Sequence, residues 1–154
     1  MNDNMPKHIV KSILQALKKT GKNVETSKVV ILGTAYKGNV DDARLSPAKP
    51  IIDKLKQFGA QTVVYDPNCD ESFGAERASS LQEAVKGADC LAIITEHNVF
   101  KTLKLKEIKR VMNDKPVIID GRRIVNPHEA EDLGFIYYGI GYGVNKMNKT
   151  SKSS

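Results

Sequence analysis

KVVILGTAYKGNVDDARLSP, residues 28–47, holds a strand, its abrupt end and the start of a helix. Lys28 to Gly33 is a short apolar, β-branched run closed by glycine. That is the pattern of a strand buried on both faces of a parallel sheet. Ser46 and Pro47 supply an N-cap and a first-turn proline. They predict a helix to about Phe58, with Ile51, Ile52 and Leu55 as its core stripe and Gly59 as its stop. The stretch between is a long loop at the carboxyl end of a strand. Ligands of open parallel sheets bind at that edge, and a loop of such length there favours a functional role.

The same punctuation continues on both sides. Residues 6–21 predict an amphipathic helix, with Ile9, Val10, Ile13, Leu14 and Leu17 on one face and Lys11, Gln15, Lys18 and Lys19 on the other. Downstream, further strands are expected at 61–65 (QTVVY), 90–94 (CLAII), 117–120 (VIID) and 135–140, with short helices at 80–86, 106–112 and 127–133 between them. Strands alternating with helices imply right-handed crossovers and a sheet covered on both faces. The expected fold is an α/β, Rossmann-like three-layer domain with a mostly parallel sheet, preceded by an N-terminal amphipathic helix. The expected divisions are 1–26 (helix and linker), 27–141 (the α/β domain) and 142–154 (a polar tail expected to be disordered).

Composition agrees with one domain. The chain has 154 residues, 40% hydrophobic and 27% charged, ordinary globular values. It has no apolar run long enough for a membrane span and no signal-like N-terminus, so a cytoplasmic location is the expectation. Two cysteines, Cys69 and Cys90, are expected to be reduced and structural. The net charge of +6 invites a nucleic-acid reading. Against it, the lysines are scattered, tryptophan is absent and no base-stacking platform is visible.

The loop after the first strand lacks the G-x-G-x-x-G pattern that lets a backbone touch a dinucleotide pyrophosphate. Asp66, at the end of the second strand, stands where a ribose-binding acid would stand; without those glycines it reads as a turn residue before Pro67. The loop offers Lys37, Asp41, Asp42 and Arg44 at the ligand edge. Lysine supplies a point charge for phosphate and arginine a fork. Asp120-Gly121-Arg122-Arg123 follows another strand, so Lys37 and Arg122 are expected to converge on one crevice. A salt bridge to Asp120 is the competing reading of Arg122. His97 follows Glu96, and the pair could serve as acid and base; with no nucleophile beside them, a structural role for His97 is the better reading. No histidines have metal-ligand spacing, and Cys69 has acidic neighbours that would raise its pKa. No catalytic or metal-binding residue is expected in the chain.

Several of these runs, in this order, resemble the C-terminal domain of the UDP-glucose/GDP-mannose dehydrogenase family: LGTAYKGNVDDARLSPA from Leu32, GAQTVVYDP from Gly59, GADCLAIITEHNVF from Gly87, VIIDGRRIVNP from Val117 and YYGIG from Tyr137. Asn4-Met5-Pro6 is similar to the end of the family's central helical region. The AYK and VDDARLSP forms are most similar to the UDP-N-acetylhexosamine branch, such as the UDP-N-acetylmannosamine dehydrogenases. The resemblance implies an enzyme that oxidises the C6 alcohol of a UDP-sugar to a carboxylate in two NAD-dependent steps through a cysteine thioester. In that enzyme an N-terminal domain holds NAD, a central region carries the cysteine and makes the dimer, and this domain binds the UDP part. The resemblance places Tyr36, Lys37 and Arg122 on the UDP-sugar and Arg44 against the NAD held by the other domain.

Two departures stand out. Leu45 replaces the family's glutamate between the arginine and Ser-Pro. The family's glycine-rich fingerprint and cysteine motif do not occur in these residues. The expectation is an isolated domain, inactive by itself, whose partners are the NAD-binding and central domains, a UDP-sugar and a second copy in a homodimer. A non-catalytic interaction module of the same fold is the alternative, motivated by the apolar face of the first helix.

Overall fold

The computed structural model describes residues 5–35 and 46–140. Among the described residues six strands form one sheet: β1 (Lys28–Leu32), β2 (Gln61–Tyr65), β3 (Glu76–Arg77), β4 (Cys90–Ile93), β5 (Val117–Asp120) and β6 (Ile136–Gly139). Their spatial order is β3-β2-β1-β4-β5-β6, and every pairing is parallel. The order runs outward from β1 in one direction and from β4 in the other. The reversal leaves the carboxyl ends of β1 and β4 as the crevice where such sheets take ligands.

Strand alternation sends neighbouring side chains to opposite faces. Val29 and Ile31 of β1 join one core layer, and Val30 and Leu32 join the other. The first layer is closed by α1 (Met5–Lys19) and α2 (Ala48–Gln57). The second is closed by α3 (Leu81–Val85), α4 (Leu105–Val111) and α5 (Pro127–Asp132), with Phe100 from a 3-10 turn at Asn98–Thr102. The three layers expected from sequence are present, and the sheet is wholly parallel.

Helix α1 is part of this core. Ile9, Ile13, Ala16 and Leu17 are buried in one cluster with Ile51 and Leu55 of α2 and Val117 and Ile119 of β5. Its end is a Schellman turn: Gly21 has φ 79°, the Gly21 N–H bonds the Lys18 carbonyl and the Lys22 N–H bonds that of Leu17. At α2 the Ser46 Oγ accepts the Ala48 N–H at 3.1 Å, the capping role read from Ser46-Pro47. Ser80 caps α3 through the Glu83 N–H, and Asn126 caps α5 through His128 and Glu129.

Candidate functional site

At the carboxyl end of β1, Gly33 takes φ 105°, and a Cβ there would stand 2.4 Å from Thr95 Oγ1. Glycine is required because the loop after β4 presses directly on β1. Thr95 Oγ1 donates to the Ala35 carbonyl at 3.0 Å. The next two N–H groups, of Thr34 and Ala35, both point to one oxygen, Asp66 Oδ2, at 2.7 and 3.1 Å. The other carboxylate oxygen accepts the Asn68 N–H at 2.8 Å.

His97 completes this cluster from the β4 side. Its Nε2 lies 2.9 Å from both Asp66 oxygens, and its Nδ1 lies 3.1 Å from the Asn68 amide nitrogen. With the Asn68 amide donating to Nδ1, the ring proton is assigned to Nε2, facing the carboxylate. Asp66 is 2% exposed and His97 0%, and Phe100 packs on the imidazole with centroids 5.5 Å apart. The turn role read for Asp66 is real but is a fraction of its bonds. His97 has the structural role expected of it; Glu96 beside it is exposed, so the two do not form an acid–base pair. The Thr34 hydroxyl is buried with no hydrogen-bond partner among the described residues.

A second buried carboxylate organises the end of β5. Asp120 Oδ1 accepts the N–H groups of Arg122 and Ile124, both at 3.2 Å, and Oδ2 accepts the Val125 N–H at 2.8 Å and the Tyr137 hydroxyl at 2.9 Å. Burial pushes the Tyr137 phenol well above its ordinary pKa, and the Asp120 charge and hydrogen bond add to the shift. Tyr137 therefore stays a donor, and Arg123 is held at φ 57° in the turn. The bond Asp120 takes from Arg122 is from its backbone. The Arg122 Nε donates instead to the Ile94 carbonyl at 2.9 Å, so the guanidinium leans from β5 towards the end of β4 and the crevice beside β1. This replaces the salt bridge weighed from sequence.

Arg122 thus stands at the ligand edge. Tyr36, Lys37 and Arg44, like Asp41 and Asp42, lie outside the described residues. Sequence reasoning missed the two carboxylate hubs. An aspartate at a strand end followed by a turn is the signal that could have found them.

The end of β1 does not fit the pyrophosphate of NAD. The N–H groups of Thr34 and Ala35 are already bonded to a carboxylate, and Thr95 fills the space above Gly33. Among the described residues no group of three or more His, Cys, Asp or Glu could hold a metal ion. Among them, too, no helix is long and apolar enough to cross a membrane.

At the opposite edge, a groove of about 650 Å³ is lined by Lys22, Asn23, Asp89 and Asn113 among others. Burial acts to raise the Asp89 pKa, but bonds from the Lys22 ammonium, the Lys28 N–H and the Asn113 amide outweigh it and hold the carboxyl below its usual range. Those bonds tie α1's end to β1 and β4 and account for the cluster without a ligand. Cys69 and Cys90 are free and buried, and burial pushes the Cys90 thiol far up.

Residues 30–127 match the family profile of the UDP-glucose/GDP-mannose dehydrogenase family, UDP binding domain. A UDP-N-acetyl-D-mannosamine dehydrogenase of Methanococcus maripaludis is 37% identical over 146 residues, covering 93% of this chain and 33% of the relative. A UDP-glucose 6-dehydrogenase of Rhizobium meliloti is 34% identical, covering 92% and 32%. Among solved structures, an NDP-N-acetyl-D-galactosaminuronic acid dehydrogenase from Methanosarcina mazei superposes with a TM-score of 0.85 at 38% identity, over 90% of this chain and 30% of that one. The chain spans about a third of the length of these curated relatives.

Proposed function

The chain belongs to the UDP-glucose/GDP-mannose dehydrogenase family, as its UDP binding domain, and from that we propose that it holds the UDP part of a UDP-sugar within an NAD-dependent UDP-sugar 6-dehydrogenase. The observation that carries the reading is Arg122, fixed at the carboxyl edge by the Asp120 turn and by the Ile94 carbonyl. A guanidinium held there suits a diphosphate, which it can bind with charge-assisted, forked hydrogen bonds. Tyr36 and Lys37 follow the end of β1 in sequence and complete the proposed contact set. Arg44 is assigned to the NAD side of the joined active site. The NAD itself belongs to another domain of the parent enzyme, in keeping with the poor fit at the end of β1.

The parent reaction is oxidation of the sugar C6 alcohol to a carboxylate, and a UDP-N-acetylhexosamine is the preferred substrate class. UDP-N-acetyl-D-mannosamine dehydrogenases at 33–37% identity overlap with the UDP-glucose enzyme at 34%, so the branch rests on the AYK and VDDARLSP forms of the sequence. A homodimeric, cytoplasmic enzyme is part of the same proposal. The interaction-module alternative loses its motive, because the apolar face of α1 is buried against the sheet.

Titration calorimetry with UDP tests the reading. The expected result is measurable binding that Arg122→Ala weakens by about 1.5–3 kcal/mol, the range for hydrogen bonds to charged groups. NAD should give no heat at the β1 site. A folded chain that ignores UDP, or an Arg122→Ala variant that binds it unchanged, would sink the proposal.

A further inference from the structure

We propose that Asp66 is a resident anion: its carboxylate occupies the backbone seat at the end of β1 that a nucleotide phosphate would take, keeps the diphosphate out of that seat, and positions the chain that leaves β1. Two successive N–H groups aimed at one point form an anion-binding concavity. Here those groups are Thr34 and Ala35, and the anion is a side chain from β2, 32 residues away from Thr34. The carboxylate is in turn held from the far side of the crevice by His97 and from its own turn by Asn68. Thr95 Oγ1 fixes the Ala35 carbonyl, so the peptide after Thr34 is gripped at both polar atoms. The loops after β1, β2 and β4 therefore meet on one carboxylate.

The arrangement bears on where a nucleotide sits. With the seat filled by a carboxylate, a diphosphate approaching β1 is repelled, and Arg122 is a cation at the same edge, beside β4. His97 acts through Asp66, as a clamp on a positioning residue.

Three measurements on the 154-residue chain test this, and the UDP arm rests on the functional reading above. Amide spectra report the seat directly. In Asp66→Asn, which keeps the shape and removes the charge, the Thr34 and Ala35 amide protons should shift and exchange faster while the rest of the spectrum holds. UDP affinity should rise in the same variant, because the charge that repels the diphosphate is gone; a fall of about tenfold would overturn the exclusion. In Asp66→Ala, formate should restore the amide signals and undo the gain in UDP affinity, where chloride at equal ionic strength should not; a scaffold role would not respond to a free carboxylate. Unchanged Thr34 and Ala35 amides in folded Asp66→Asn overturn the proposal. If the wild-type chain binds no UDP, the functional reading fails, while the amide and formate results still decide the seat. Should both Asp66 variants fail to fold, His97→Gln decides. It leaves the carboxylate in place and should loosen the same two amides; unchanged amides there count against the proposal.

Discussion

Asp89 shows how one carboxylate at a strand start depends on its partners. It is 5% exposed and pairs with Lys22 at 2.9 Å, where the lysine side chain is 19% exposed. The Lys22 ammonium also donates to the Asp114 carbonyl. Lys22→Met should destabilise the fold by about 1–3 kcal/mol, since it leaves a nearly buried carboxylate short of a donor. The sign of the pH dependence follows from the direction of the shift. The folded-state pKa of Asp89 is depressed, so the interaction stabilises above the ordinary carboxylate range and is lost as pH falls through the folded pKa. Denaturant melts across pH should show the gap between wild type and Lys22→Met closing in acid. A gap that is constant with pH would mean the loss is packing by the lysine stem.

At the scale of elements, the turn after β5 and helix α1 depend on each other. A Cβ on Gly121 would stand 2.7 Å from the Ile93 carbonyl oxygen, 3.0 Å from Ile9 Cδ1 and 3.2 Å from Met5 Cε. The Gly121 N–H bonds that same carbonyl. The first contact is backbone and cannot swing away, so Gly121→Ala must move β5's end or α1. Overpacking of this kind costs about 1–3 kcal/mol, and the displacement falls on the residue beside Arg122. Thermal melts should show the loss, and UDP titration should show weaker binding in the fraction that remains folded. A variant as stable as wild type would mean the turn relaxes without strain.

Across the whole molecule, legibility followed burial on two faces. β2 and β5 were read at their bounds, and β4 to within a residue, because β4 and β5 are buried at every residue and β2 at its three central ones, which leaves short, mostly apolar runs. β3 was not seen. Its two residues, Glu76 and Arg77, are exposed and join the sheet through backbone bonds, which leave no side-chain pattern. The candidate site divides the same way. Arg122 was legible as a cation at a strand end. The roles of Asp66 and Asp120 were not, because their partners are backbone N–H groups, and a carboxylate that binds backbone looks in sequence like one that meets solvent. The family runs added what periodicity lacks: the identity of the ligand expected at the edge.

The packing of α1 beneath Gly121 also fixes a sequence of events. A Cβ on Gly121, just past the end of β5, would crowd Met5 and Ile9, and α1 shares its core cluster with β4 and β5. Within this chain the helix precedes every strand, yet β5, part of the surface it seals against, follows four other strands. Until β5 emerges, Ile9, Ile13 and Leu17 can meet α2 and the earlier strands but not Val117 and Ile119, and contacts so distant in sequence form late. The docking of the helix is therefore complete only once β5 is in place. Stopped-flow kinetics should record that order: Ile13→Ala, a change in a fully buried residue, should cost about 2–5 kcal/mol and act mainly by speeding unfolding, with the folding rate nearly untouched.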